Sequence, residues 1–319
     1  MKSAQYVIGM DGGGTKTAAI IADSEGSVIA QHVSGPSNFH AIGVDKAAKV
    51  LFSLLRECCD SLKVTPGAIR ATTIGLAGAG RPDDQKRIAD ALRKLSAQKK
   101  TKLRNLRIES DARIALEGAF RGGAGIILVA GTGSIAFGKD EEGNVHRVGG
   151  WGRILGDEGG GYFIGQRALV AACRQLDGRS SASRLTELIA KKFGLKTAEA
   201  IIGAVYRKNF EISTIAPIVL EAAEAGDVAA AEIVQIASLE LTDQARALVA
   251  KIQNGKERSV RRRISLSFIG GLISNENPLT RALRGQIAES LPEVNIVTPM
   301  APPVYGAVVM ALSSTGETL

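Results

Sequence analysis

Apolar positions along the chain come in short runs, alternating with longer stretches of helical period. Tyr6-Val7-Ile8-Gly9-Met10 and Ala18-Ala19-Ile20-Ile21-Ala22 have the length of buried strands, and the polar, glycine-rich DGGGTKT, Asp11 to Thr17, separates them. The period then predicts a helix from about Val44 to Leu62, a strand Ala71 to Leu76, a helix Asp83 to Ser96, a strand Leu106 to Glu109 and a helix from Asp111. After another apolar run, Ile126 to Ala130, it predicts a helix from about Gly159 to Gln175 and a mostly helical stretch to about Lys251. A strand Ile264 to Gly270, a helix Pro278 to Glu289 and a strand Val294 to Val297 follow. Strands alternating with helices in both halves imply an α/β fold with parallel sheet.

DGGGTKT fits neither common nucleotide fingerprint. Lys16 follows Thr15 where a P-loop has glycine, and Thr17 occupies the third glycine position of the dinucleotide pattern. An internal repeat explains it better: GTKTAAIIADSEGSV, Gly14 to Val28, aligns without a gap on GTGSIAFGKDEEGNV, Gly131 to Val145, at an offset of 117 residues. Each copy reads as strand, Gly-Thr turn, strand, D-x-E-G turn, strand, so each is a β-meander and not a strand-to-helix loop. The repeat predicts two related α/β domains facing each other. Their two hairpins would grip an anion chain such as a triphosphate with backbone N–H groups and hydroxyls. Taken singly, each hairpin is equally a tight structural turn. The copies differ at one point: Asp11 precedes the first glycines, and the equivalent place in the second copy holds Leu128. One carboxylate acting through water suits Mg²⁺.

Composition narrows the class. The 319 residues are 45% hydrophobic and 4% aromatic, enough for about two domains with cores and against disorder. No apolar run approaches the roughly 20 residues of a membrane span, and no signal-peptide core precedes the first glycines, so a cytoplasmic protein is expected. Cys58, Cys59 and Cys173 form neither a disulfide framework nor a zinc pattern. The net charge of +8 is scattered, with small clusters at Lys99-Lys100-Thr101-Lys102 and Arg261-Arg262-Arg263 and no interleaved aromatics, so no nucleic-acid partner is expected. His32, His40 and His146 have neither metal spacing nor a nucleophile nearby, against a Ser/His/Asp hydrolase.

Five segments in this order, DGGGTKT, IESDARIAL, GIILVAGTGSIAFG, VGGWGRILGDEGGGYFIGQRAL and FIGGL, resemble the N-acetylglucosamine kinase and BadF/BadG/BcrA/BcrD ATPase family of the actin-like ATPase superfamily. The resemblance covers most of the chain and is weakest from about Ser180 to Gly255. It implies two ribonuclease H-like domains with a cleft between them. The first spans 1–118, with a C-terminal helix, 304–319, packing back on it; the second spans 119–303, with a helical insertion at about 178–255. By similarity, Gly12, Gly13, Gly14, Thr15, Lys16 and Thr17 form the first phosphate loop, and Gly131, Thr132, Gly133 and Ser134 the second. FIGGL, with Gly270 and Gly271, resembles the adenosine motif, with a C-terminal strand turn as the lesser alternative from the residues alone. Asp11 is the Mg²⁺ anchor.

Asp111 ends a strand at a helix start, where it serves as a catalytic base for the acceptor hydroxyl or as a helix cap. It matches the family's catalytic aspartate in SDA, which also touches substrate. GGWG and GDEG imply sugar contacts at Gly150, Trp151, Gly152 and Asp157, with Glu158 a weaker candidate; unaided, Trp151 reads as core. Asn38 in SGPSN corresponds to another sugar contact, or to a plain turn residue. The resemblance therefore implies an ATP- and Mg²⁺-dependent kinase of an amino sugar, first N-acetylglucosamine at its 6-hydroxyl, with glucosamine or N-acetylmuramic acid as alternatives, and a homodimer. The rivals are an ATPase activator of a dehydratase or reductase, which would hold an iron-sulfur cluster, and a binding regulator without catalysis.

Overall fold

The computed structural model describes residues 5–253 and 263–316. Arg261 and Arg262 of the second basic cluster, and the last three residues of the expected C-terminal segment, lie outside the described residues. The chain divides into two compact units, Met1–Ala124 with Thr298–Leu319, and Gly125–Val297.

Both units are built on the same sheet. Unit 1 contains β1 (Tyr6–Gly12), β2 (Thr17–Ala22), β3 (Val28–Ser34), β4 (Ile69–Leu76) and β5 (Leu106–Ser110) in the order β3-β2-β1-β4-β5. Unit 2 contains β6 (Gly125–Ala130), β7 (Ser134–Lys139), β8 (Val145–Gly149), β9 (Ile264–Ile269) and β10 (Val294–Ile296) in the order β10-β9-β6-β7-β8. Read from the other edge, the second order is the first with every strand replaced by its repeat. In each, the meander is antiparallel and the last two strands run parallel to the first. This is the two-domain actin-like arrangement of elements.

The repeat extends to single hydrogen bonds. Asp23 Oδ1 accepts from the N–H of Glu25 and of Ser27, and Asp140 Oδ1 accepts from the N–H of Asn144. Gly26 and Gly143 sit at the same turn position with φ of 79° and 87°. The Gly-Thr turns, in contrast, differ by one residue. Gly12 pairs with Thr17 across four turn residues, whereas Ala130 pairs with Ser134 across three. Asp11 lies opposite Ala18, and the residue opposite the repeat-equivalent Ile135 is Val129. The counterpart of Asp11 is therefore Val129 rather than Leu128, because the shorter turn shifts the strand by one; it carries no carboxylate either way.

Helices cover both faces of the unit 1 sheet, which is why its central strands β1, β2 and β4 read as nearly continuous apolar runs. In unit 1, α1 (Phe39–Ile42) is followed by α2 (Val44–Ser61) and α3 (Pro82–Gln98), and Leu51, Leu54 and Cys58 of α2 share a core with Ile8, Met10 and Ile74. On the other face, Val7, Ile20 and Ala71 pack against Val308, Ala311 and Leu312 of α11 (Pro303–Ser313). Each fully buried Val, Leu, Ile or Met among them contributes about 1.5 to 3 kcal/mol. α11 crosses α4 (Asp111–Ala119) at a point where Gly118 meets Gly306; a Cβ on Gly118 would lie 2.7 Å from the Pro302 carbonyl oxygen, and one on Gly306 would strike α4 backbone. Only glycines allow that approach.

In unit 2, α5 (Gly161–Leu176), α6 (Arg184–Phe193), α7 (Ala198–Ile202), α8 (Ala216–Glu224), α9 (Val228–Gln253) and α10 (Pro278–Ser290) share one core with the face of the second sheet that carries Ile126, Leu128 and Leu266. The 203–207 segment is a π-helical turn and 212–215 a 3-10 turn, both inside the stretch read from sequence only as mostly helical. Among the described residues, no helix is long and apolar enough to cross a membrane.

Candidate functional site

Unit 1 brings together Asp11, the first glycine turn, Asn38 and Asp111. The turn is fixed from below: Gly13 N–H donates to the Lys16 carbonyl, 3.0 Å, and the Gly13 carbonyl accepts from Ser37 and Asn38 N–H at 3.1 Å each. Above it, Gly14, Thr15 and Lys16 are exposed, and their N–H groups find no acceptor among the described residues. Such a row of open donors suits phosphate oxygens. Thr17 is different: it is fully buried, and its hydroxyl donates to the Gly35 carbonyl at 2.7 Å and meets Ser37 Oγ at 2.8 Å. Its side chain braces the turn from inside, and a Cβ on Gly12 would collide with the same Ser37 hydroxyl. Asn38 Oδ1 caps α1 through His40 N–H at 3.1 Å.

Asp111 stands at the end of β5. The cap of α4 is Ser110, whose Oγ accepts from Arg113 N–H at 3.1 Å; Asp111 itself accepts from Ala112 N–H at 2.8 Å. Burial pushes its carboxyl above the usual range, opposed by its backbone hydrogen bonds. The residue still reaches solvent, so water screens part of that effect. Asp11 is pushed up to about 6, first by burial and next by the charge of Asp111, while Lys16 pulls it back. Asp11, raised in part by Asp111 and set beside open N–H groups, is suited to a hydrated Mg²⁺ carried with phosphate, and it is the residue that would hold the ion. Among the described residues there is no group of three or more His, Cys, Asp or Glu side chains that could hold a metal ion.

Unit 2 brings together the second turn, the 149–160 loop and the FIGGL turn. Gly131 N–H donates to the Gly133 carbonyl at 2.9 Å, while the N–H groups of Thr132 and Gly133 find no acceptor among the described residues. The turn is fastened to α5, whose Gly161 and Tyr162 N–H groups donate to the Gly131 and Thr132 carbonyls at 2.8 and 2.9 Å. Ser134 is buried, and its hydroxyl donates to the Glu158 carbonyl at 2.6 Å, so it too is a structural group. Gly270, with φ of 101°, lies so close to Ala130 that any Cβ would collide with that residue's backbone. This seats FIGGL directly beside the second turn, with Gly271 exposed.

Trp151 is 68% exposed, with the Arg147 guanidinium 5.3 Å above its ring, and Ile154 and Leu155 are exposed beside it. It is not a core residue. Asp157, with φ of 60°, accepts from Gly152 N–H at 3.1 Å and packs so tightly on Gly133 that a Cβ there would collide with its carboxylate. Burial raises its pKa, Glu158 adds to this, and the Gly152 bond and Arg147 oppose. Gly150 donates to the Ser134 carbonyl at 3.2 Å.

The comparisons agree with this architecture. Residues 8–311 match the model of the BadF/BadG/BcrA/BcrD ATPase family. The chain belongs to that family. The N-acetylmuramic acid/N-acetylglucosamine kinase of Clostridium acetobutylicum is 34% identical over 312 residues, 97% of this chain and 99% of that protein. The N-acetyl-D-glucosamine kinase of Dictyostelium discoideum is 31% identical over 327 residues, 98% and 99% of the two chains. Among solved structures, a Chromobacterium violaceum protein assigned as an N-acetylglucosamine kinase superposes with a TM-score of 0.73 at 27% identity, covering 97% of this chain and 99% of that one.

The BadF/BadG/BcrA/BcrD family includes the activator class considered above, and the thiols bear on it. Cys58 and Cys59 are fully buried on α2, and burial, reinforced by neighbouring charges, pushes them up to about 12 and about 11. Both side chains are enclosed in the unit 1 core rather than presented at its surface. Three residues escaped sequence reasoning. Ser37 supports the first turn; Arg147 stacks on Trp151 and donates to the Gly149 and Gly150 carbonyls at 3.2 and 3.3 Å; Gln244 reaches the second turn from α9. Only Arg147, four positions before the tryptophan, left any local sign.

Proposed function

We propose that this protein is an ATP-dependent amino-sugar kinase that transfers the γ-phosphoryl group of MgATP to the 6-hydroxyl of N-acetylglucosamine. The observation that carries this reading is Asp111. Its carboxyl is relieved of capping by Ser110, is held by burial above the usual range, and stands close enough to Asp11 and the open Gly14–Lys16 turn to raise the Asp11 pKa. A base beside a phosphate turn is what a hydroxyl acceptor requires.

On this reading the N–H groups of both Gly-Thr turns bind phosphate oxygens. Gly270 and Gly271 let adenosine approach the backbone. Asp11 orders the water around Mg²⁺, which when bound neutralises charge on the transferring phosphoryl group. Asp111 accepts the proton of the acceptor hydroxyl and aims its oxygen. Trp151, Gly150, Gly152, Asp157 and Asn38 contact the sugar, Trp151 offering an apolar face and Asp157 a carboxylate for hydroxyls. Thr17 and Ser134 act by bracing the turns, since their hydroxyls are already engaged. The enzyme works in the cytoplasm and as a homodimer, which sedimentation would test.

The Clostridium acetobutylicum relative, an N-acetylmuramic acid/N-acetylglucosamine kinase, supports one further acceptor, N-acetylmuramic acid. The test is ADP formation with N-acetylglucosamine, N-acetylmuramic acid, glucosamine and glucose, compared by kcat/KM. An ADP rate that no amino sugar raises above the sugar-free rate removes the reading.

A further inference from the structure

Gln244 lies in the middle of α9, 7% exposed, 110 residues along the chain from the second phosphate turn. Its amide nevertheless joins the turn to the 149–160 loop. Nε2 donates to Ser134 Oγ at 3.0 Å and to the Glu158 carbonyl at 3.0 Å, and Ser134 Oγ donates to the same carbonyl at 2.6 Å. The two acceptors lie only 2.6 Å apart, so they share one Nε2 hydrogen, and the serine hydroxyl accepts from the amide while donating to the carbonyl. The reverse amide orientation would face Oε1 against the Glu158 oxygen, two acceptors in contact, so the chemistry fixes the side chain.

The third member of the junction is the loop's other end. Gly149, with φ of 73°, packs on the amide; a Cβ there would lie 2.8 Å from Oε1 and 3.1 Å from Cδ. Gly150 N–H donates to the Ser134 carbonyl at 3.2 Å. Ser134 thus holds both ends of the loop, the entrance through its backbone and the exit through its side chain, and Gln244 locks Ser134. Oε1 itself is buried without a hydrogen-bond partner among the described residues. An unpaired buried oxygen is unfavourable, and core packing alone would be served better by an apolar residue.

We propose that Gln244 is a positioning residue, which sets the distance between the phosphate turn that begins at Gly131 and the acceptor loop that carries Trp151 and Asp157. This rests on the kinase reading above for its effect on turnover, not for the junction itself. A misplacement of about 1 Å between reacting groups lowers rates roughly 100-fold, because the reaction depends on alignment more than on binding.

Gln244→Met keeps length and volume and removes both donors. With N-acetylglucosamine and MgATP, kcat is expected to fall 10- to 100-fold, while dissociation constants for ADP and for the sugar, measured separately by calorimetry, change less than three-fold. A purely structural glutamine would give the opposite split: lower thermal stability, with kcat per folded molecule unchanged. Hydrogen exchange gives the second readout, with amides of 150–158 in Gln244→Met expected to exchange at least ten-fold faster than in the unaltered chain. A folded Gln244→Met with kcat within two-fold of the unaltered chain overturns the proposal, as do unchanged exchange rates. If the unaltered chain phosphorylates no amino sugar, the function reading falls, and hydrogen exchange still decides the junction.

Discussion

The exchange Asp111→Asn separates catalysis from architecture, because the structure divides those duties between neighbours. Ser110 Oγ caps α4, so the amide inherits no capping role, and its oxygen keeps the hydrogen bond from Ala112 N–H. Losing a cap costs about 1 kcal/mol of stability, whereas here the expected loss is below about 0.5 kcal/mol. Removing one of two mutually repelling carboxylates also relieves Asp11, whose pKa is held up to about 6 partly by Asp111. Thermal stability should therefore stay level or rise slightly. The rate behaves otherwise: loss of a general base lowers kcat about 10²- to 10⁴-fold, or roughly 3 to 5 kcal/mol of barrier. A coupled assay of ADP formation with saturating N-acetylglucosamine, run beside thermal unfolding of the same sample, reads both. A kcat within about three-fold of the unaltered enzyme would refute the assignment, and a Tm loss of several degrees would return the residue to a structural role.

Three further outcomes are expected. With Asp11 raised from its ordinary value to about 6, the folded state holds the proton more tightly than the unfolded one, so stability without Mg²⁺ should decline by about 2 to 3 kcal/mol as pH rises from about 4 to 6. Asp11→Asn should abolish that slope in pH-dependent denaturation, raise stability at neutral pH and impair turnover; a slope that persists in the variant counts against the cause. Trp151→Ala should leave unfolding nearly unchanged, losing about 0.5 to 1 kcal/mol of ring contact with Arg147, while KM for the sugar rises ten-fold or more; an unaltered KM would detach Trp151 from the acceptor. Asp227 accepts from Ala230 N–H at 2.8 Å and Leu185 N–H at 3.0 Å, bonds that outweigh its burial and lower its pKa. Asp227→Ala should cost about 1 to 2 kcal/mol at pH 7, and that difference should shrink as pH falls from about 4, where the carboxylate of the unfolded chain takes up its proton, through the lower pKa of the folded one; a pH-independent difference in denaturant titrations would contradict it.

The fold was legible because strand period, helix period and the 117-residue repeat agreed with one another. Local signals reached their limit where distant residues decide the geometry. The gap-free alignment passed over the one-residue difference between the turns, since the pairing of Asp11 with Ala18 and Val129 with Ile135 is a sheet property rather than a string property. Thr17 and Ser134 looked like phosphate ligands because hydroxyl residues flank both turns; their inward orientation follows from strand alternation beginning at those residues. Trp151, ambiguous from its sequence, is exposed because glycines with φ of 67° and 88° on either side turn the backbone outward. Gln244 left no trace, lying in a helix whose own pattern identifies only its apolar face.

The return of α11 to unit 1 has a consequence for how the chain is made. Tyr305 Oη bonds the Gly26 carbonyl 279 residues earlier, and α11 covers Val7, Ile20 and Ala71. During translation those side chains remain bare while all of 125–297 is synthesised, roughly 10 to 40 s at ordinary elongation rates. The amino-terminal body therefore does not mature first: one face of the first sheet stays uncovered until residues 303–313 have been made.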